Sequence, residues 1–125
     1  MIVTENRIIY FSGFLSQLKS CNMVNWQPRS IRTELSADEQ NLEISWKPAR
    51  HYYRYKYKIY VMVPNTGRQE VYCGKYTNCT IAVRRLEGFY GVNNININNP
   101  VKFQIVTFEA GFENKPVQFN WPIAI

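Results

Sequence analysis

The run Arg50-His51-Tyr52-Tyr53-Arg54-Tyr55-Lys56-Tyr57-Lys58 interleaves cations with aromatic rings, and these are the residues of the chain best suited to recognition chemistry. Cations neutralise phosphate or sulfate while rings stack on planar faces, the combination that single-stranded nucleic acid or a sulfated glycan requires. The same side chains also anchor protein interfaces, where Tyr and Arg carry much of the binding energy. Catalysis has far less to work with. There is a single histidine, His51, no glycine-rich phosphate loop, no Gly-x-Ser-x-Gly and no Cys-His cluster spaced for a metal, and the acidic residues are scattered. The chain is expected to bind rather than catalyse, with no cofactor and no metal. Asn78-Cys79-Thr80 adds one modification motif, an N-glycosylation acceptor with Asn78 as its target.

Those residues need elements to position them, and length bounds the choice. With 125 residues, 46% of them apolar or aromatic, the chain can bury one core but not two independent ones. A formal charge of +6 and a pI near 9.3 favour acidic partners: anionic glycan, nucleic acid or an acidic protein surface. No run approaches the roughly 18 to 20 consecutive apolar residues of a membrane-spanning helix, so no membrane span is expected in this chain.

Residues 1–25 form an N-terminal extension. Its apolar cluster, Ile8, Ile9, Phe11, Phe14, Leu15 and Leu18, is broken by Gly13, and the spacing fits an amphipathic helix or an edge strand equally well. The segment is expected to pack on the domain; as a signal peptide it is poor, with Glu5 ahead of the apolar residues and no small-x-small cleavage site after them.

Residues 26–125 read as all β. Leu42, Ile44 and Trp46 alternate with polar residues until Pro48, a half-buried strand that carries an indole into a core, where its N–H should meet a carbonyl. Ile31, Thr33 and Leu35 alternate before it. Tyr55, Tyr57, Ile59, Val61 and Val63 share one face of the longest strand, with Lys56, Lys58, Tyr60 and Met62 on the other, and Pro64-Asn65-Thr66-Gly67 makes a turn. Further strands are expected at 69–76, 79–86, 101–108 and 117–121. Seven short strands separated by turns predict an immunoglobulin-like β-sandwich. The tract Asn93 to Pro100 reads as a long exposed loop; its alternative reading makes Ile95 and Ile97, together with Phe89 and Tyr90, part of a contact surface.

Pro28, the Leu42-x-Ile44-x-Trp46-x-Pro48 strand, Tyr57-x-Ile59-x-Val61 and Val101-x-Phe103-x-Ile105-x-Thr107 follow one another as landmarks do in fibronectin type III domains, and the chain resembles that family from about Trp26 to Ile125. Where the family usually has Tyr ahead of its sixth-strand alternation this chain has Phe103, which removes the phenol that pins that corner. Cys73 to Ile81 also looks like the first fibronectin-like domain of interferon- and interleukin-type receptors, in which a cysteine late in the middle strand pairs with one opening the next. That resemblance implies a Cys73–Cys79 disulfide, and five intervening residues across a turn could bring the Cα atoms within the roughly 4.4 to 6.8 Å required; the alternative is a pair of reduced thiols. Cys21 is then the odd thiol.

These resemblances imply an extracellular or cell-surface module that binds a protein ligand or co-receptor. In the run at 50–58, Tyr55 and Tyr57 belong to the core, leaving Arg50, His51, Tyr52, Tyr53 and Arg54 in the loop as the binding residues, with Phe89 and Tyr90 as a second candidate. The strand directions put these two at opposite ends of the sandwich. The alternative is a basic anion-binding module recognising sulfated glycan or nucleic acid, with nucleic acid the less expected of the two.

Overall fold

The computed structural model describes residues 27–50 and 55–123. The extension at 1–25 and its Cys21 lie outside them, as do His51 to Arg54. The described chain forms β1 (Arg29–Leu35), β2 (Asn41–Lys47), β3 (Lys56–Val63), β4 (Gly67–Gly74), β5 (Asn78–Ala82), α1 (Val83–Tyr90), β6 (Val101–Glu109), β7 (Phe112–Glu113) and β8 (Val117–Trp121). Two antiparallel sheets result. One has the order β1-β2-β5; in the other, β4, β3 and β6 lie side by side, and β7 and β8 both pair with β6.

Period-two alternation explains why the sheets face each other. Leu42, Ile44 and Trp46 of β2 meet Tyr57, Ile59 and Val61 of β3 and Val101, Phe103 and Ile105 of β6 in one core, joined by Ile81 and Leu86. Each such side chain contributes about 1.5 to 3 kcal/mol by leaving water. A one-residue slip in register would turn these strands inside out, so the pattern fixes the pairing as well as the fold.

Trp46 lies between the sheets, with the rings of Tyr57 and Tyr72 edge-on to it at 5.4 and 5.9 Å. The carbonyl expected for its indole N–H is absent: the buried Nε1 has no acceptor among the described residues. The rings of Tyr57 and Tyr72 beside it turn their hydroxyls to other partners, the Ala49 N–H and the Tyr76 carbonyl. The buried Tyr57 hydroxyl fares differently, accepting a bond from the Ala49 N–H at 3.1 Å.

Two sequence expectations need correction. The strand expected at 79–86 stops at Ala82, and α1 follows. Val83, Leu86, Phe89 and Tyr90 fall at helical spacing, with Leu86 fully buried and the two aromatics packed against the core, so a stripe of period 3.6 overrides the alternation begun at Cys79 and Ile81. The second correction concerns the disulfide: Cys73 and Cys79 are both free. Tyr72 points inward to Trp46, so Cys73, its neighbour on β4, is turned to the outer face and exposed; Cys79 pairs with Ile44 and joins the core side of the other sheet. The thiols diverge. Burial pushes the Cys79 thiol up to about 11.

The corner left without a phenol by Phe103 acquires one from α1. Tyr90 donates its hydroxyl hydrogen to the Met62 carbonyl (2.7 Å) and accepts from the Lys102 N–H (3.0 Å), tying the end of β3 to the start of β6. Gly91 ends the helix at a positive φ of 99°, and a Cβ there would collide with the Asn94 amide, which itself donates to the Tyr90 carbonyl at 2.9 Å.

Candidate functional site at the loop end

Strand direction sorts the connections between the two ends of the sandwich. Lys56 pairs with Phe108 and Tyr57 with Gly74, so the starts of β3 and β5 and the ends of β2, β4 and β6 share one end. The β2–β3 loop, the turn at 75–77 and the hairpin at 110–116 therefore cluster there. The opposite end collects the β1–β2 turn, the β3–β4 turn, α1 and the asparagine tract. Arg50, the described residue of the expected Arg50–Arg54 site, and Phe89–Tyr90 belong to different ends.

Arg50 is exposed at the first of these ends; the rest of the expected site, His51 to Arg54, falls outside the described residues. Two aromatic residues that sequence reasoning passed over lie at the same end. Tyr76 is 79% exposed in the turn between β4 and β5, and Phe112 is 63% exposed on the hairpin after β6. A rim flanked by rows of strands about 4.8 Å apart places such residues within one protein-sized footprint. Lys75, Lys115 and Lys56 add exposed cations, while Glu109 and Glu113 are the acids of the adjoining strands. The signal for Tyr76 was its place after Gly74, past the last alternating pair. For Phe112 it was the Ala110-Gly111 turn, since residues flanking a two-residue hairpin turn are surface residues.

The turn at 75–77 is closed by the Tyr72 hydroxyl, which donates to the Tyr76 carbonyl at 2.9 Å. Burial raises the Tyr72 pKa from its ordinary value, partly offset by that bond, so the hydroxyl remains a donor at neutral pH. Gln27 links the chain ahead of β1 to the same end through its side-chain amide, which donates to the Lys115 carbonyl at 3.2 Å. The anchoring side chains are buried or partly buried, and the residues they present are exposed. Among the described residues no group of three His, Cys, Asp or Glu could hold a metal ion.

At the far end the second candidate is half-buried: Phe89 and Tyr90 pack against the core, as does Ile95, while Val92 (70%) and Ile97 (58%) are exposed apolar side chains. Asparagines build the loop around them. The Asn96 side chain accepts from the N–H groups of Asn98 (2.9 Å) and Asn99 (3.1 Å), an Asx-type turn. Asn78 of the acceptor motif is exposed at the first position of β5, paired with Ser45, and Thr80 is exposed on the same face.

The architecture is fibronectin type III-like, two antiparallel sheets in the arrangement of its structural neighbours. The chain is similar to the rat CD45 extracellular region, domains d3-d4, with a TM-score of 0.52 and 7% identity over 75% of this chain and 47% of that one. It thus spans about half the length of that neighbour. It is also similar to an Fn3-like protein from Clostridium thermocellum (TM-score 0.46, 12% identity, 73% of this chain and 84% of that one). The twitchin kinase region from C. elegans gives 0.45 at 17% identity, over 74% of this chain and 16% of that one. No protein-family model and no curated protein matches the chain. Among the described residues no helix is long and apolar enough to cross a membrane.

Proposed function

We propose that this domain is a non-catalytic protein-binding module that engages its partner through the loop end. The observation that supports this reading is the convergence of Arg50, Tyr76 and Phe112 from three separate connections on one rim, each exposed and each a residue type enriched at interface hot spots. Rings held on short, braced connections bury area at little entropic cost. The partner presents an acidic surface. Lys47, Lys56, Lys75 and Lys115 at this end favour that sign of charge, and they speed encounter more than they strengthen the final complex.

Those same cations support one second reading, an anionic glycan as ligand. The two readings separate by salt. Affinity for a sulfated glycan falls steeply between about 0.1 and 0.5 M salt, whereas a rim anchored by aromatic rings keeps most of its affinity. We place the domain outside the cell or at its surface, as a receptor-type or secreted module. That placement rests on the exposed acceptor asparagine, Asn78, and on the shared fold, with no support from the two free thiols. Loss of mass on glycosidase treatment of protein isolated from its native cells tests it.

The binding reading is tested by measuring retention of a captured partner on immobilised wild-type domain and on Tyr76→Ala/Phe112→Ala. Loss of at least about 2 kcal/mol in the double variant, with little dependence on salt, is expected. Unchanged retention in the double variant rejects the loop end as the site.

A further inference from the structure

Building on the loop end as the binding surface, we propose that Glu113 is the positioning residue of that surface: gripped by Tyr60 and Arg68 from two other strands, its carboxylate fixes the hairpin that presents Phe112, and its protonation releases that hairpin.

The hairpin cannot hold itself. β7 has two residues, Phe112 and Glu113, paired with Glu109 and Phe108. Its turn residues, Ala110 and Gly111, both have positive φ, 51° and 82°, the conformation of a tight two-residue hairpin that follows the strand twist. Glycine adopts it freely; Ala110 is strained there, because its Cβ crowds the following carbonyl. Two ladder pairs behind a strained turn make a marginal element.

The carboxylate of Glu113 supplies the missing hold. One oxygen lies 3.2 Å from Nη1 of Arg68 on β4, and the other accepts a short hydrogen bond from the Tyr60 hydroxyl on β3. Arg68 in turn sits over the Tyr60 ring, 3.9 Å from its centroid, so the two residues that hold the carboxylate brace each other. An isolated surface ion pair contributes little. This one differs because Tyr60 is 7% exposed and fixed on the central strand of the sheet. Lys58, 3.6 Å from Glu70 and 4.5 Å above the Phe108 ring, adds a further positive charge that favours the Glu113 carboxylate. Directly after Glu113, the Asn114 N–H donates to the Thr107 carbonyl (2.9 Å) and its side-chain amide to the Thr107 hydroxyl (2.8 Å), bonds that form only while the hairpin held through Glu113 is closed.

The charged and titratable groups facing Glu113 are Tyr60 and Lys58 from β3 and Arg68 and Glu70 from β4; Glu109 of β6 pairs with Phe112 and stands on the other face. Burial by itself would raise the Glu113 carboxyl; the Tyr60 hydroxyl and the Arg68 guanidinium outweigh it and hold the carboxyl below its ordinary range. The grip is therefore charged and closed at neutral pH, and it opens as pH falls through that lowered value. Tyr60, with its hydroxyl pushed up to about 12 chiefly by burial, remains a donor throughout this range.

Amide hydrogen exchange on the full chain tests the proposal without any partner. The reporter is the Asn114 amide, and amides of Ile59 and Phe103 in the sheet centre are the reference. After correction for intrinsic exchange, the wild-type reporter should stay protected from neutral pH down through the ordinary carboxylate range and lose protection only as pH falls below it. Glu113→Gln should lose roughly tenfold of that protection at pH 7 and show no acid step, with the reference amides unchanged. Arg68→Met should move the acid step to higher pH. Wild-type protection in Glu113→Gln, persistence of the acid step in that variant, or an equal loss at the reference amides would each overturn the proposal. None of these readouts involves a ligand, so failure here leaves the binding reading standing, and failure of partner retention leaves this grip standing.

Discussion

Tyr90 and Trp46 are both aromatic residues against one core, yet they differ in what their polar atoms do. The Tyr90 hydroxyl serves two backbone groups, whereas the Trp46 N–H serves none among the described residues. Tyr90→Phe should therefore cost about 1 to 3 kcal/mol by thermal or denaturant unfolding, since it strips partners from the Met62 carbonyl and the Lys102 N–H. Trp46→Ala should cost about 3 to 5 kcal/mol through the cavity it leaves. Trp46→Phe should cost much less than that, because no hydrogen bond is lost with the indole N–H. Alternation in Leu42-x-Ile44-x-Trp46 made the burial of Trp46 legible; the role of Tyr90 was hidden, because it depends on two backbone groups more than ten residues away. The cysteines make a second case. Cys73 is exposed and Cys79 is raised to about 11, so at pH 8 iodoacetamide should label the Cys73 peptide rapidly and the Cys79 peptide only after unfolding, with peptide mass spectrometry as the readout.

At the scale of elements, the strands were legible and their interruptions were not. β2, β3, β6 and β8 stand where alternation predicted them, since a half-buried strand writes its period directly into the sequence. Helix α1 shares Val83 to Leu86 with the expected strand, and over so few residues the two periods overlap; Phe89 and Tyr90, at helical spacing from Leu86, are what separate them. Sheet edges carry their own devices. β1 has a register shift between Arg29 and Arg32, with Ser30 at a φ of 53°, and on β4 the Arg85 side chain donates to the Glu70 carbonyl at 3.3 Å. Both disturb the template that an open edge offers to another chain. The strained turn after β6 invites improvement: Ala110→Asn, a residue tolerant of positive φ, should stabilise the domain by about 1 kcal/mol, and a melting temperature lowered by this change would refute the strain argument.

For the whole molecule, the sandwich acts as a frame that divides its connections between two ends, one braced and closed by α1 and the asparagine tract, the other presenting Arg50, Tyr76 and Phe112. The direction of each strand followed from counting them, so the separation of the ends could be deduced before any coordinates. The membership of the rim could not, because Tyr76 and Phe112 lie far apart in sequence and reach the same end only through strand pairing. Charge on the outer face also sets a pH window for stability. Glu113, held below its ordinary range, contributes stability that is present at neutral pH and lost as pH falls through its lowered value; Tyr60, raised to about 12, contributes stability that is present below pH 10 and lost between about 10 and 12. The most direct test of the central claim is site-specific photo-cross-linking in the protein's native cells, with the photoreactive side chain placed at position 112, at position 76 or at position 97 of the opposite end. The account predicts one common partner captured from positions 76 and 112 and not from 97. Capture from position 97 with none from 76 or 112 would contradict it.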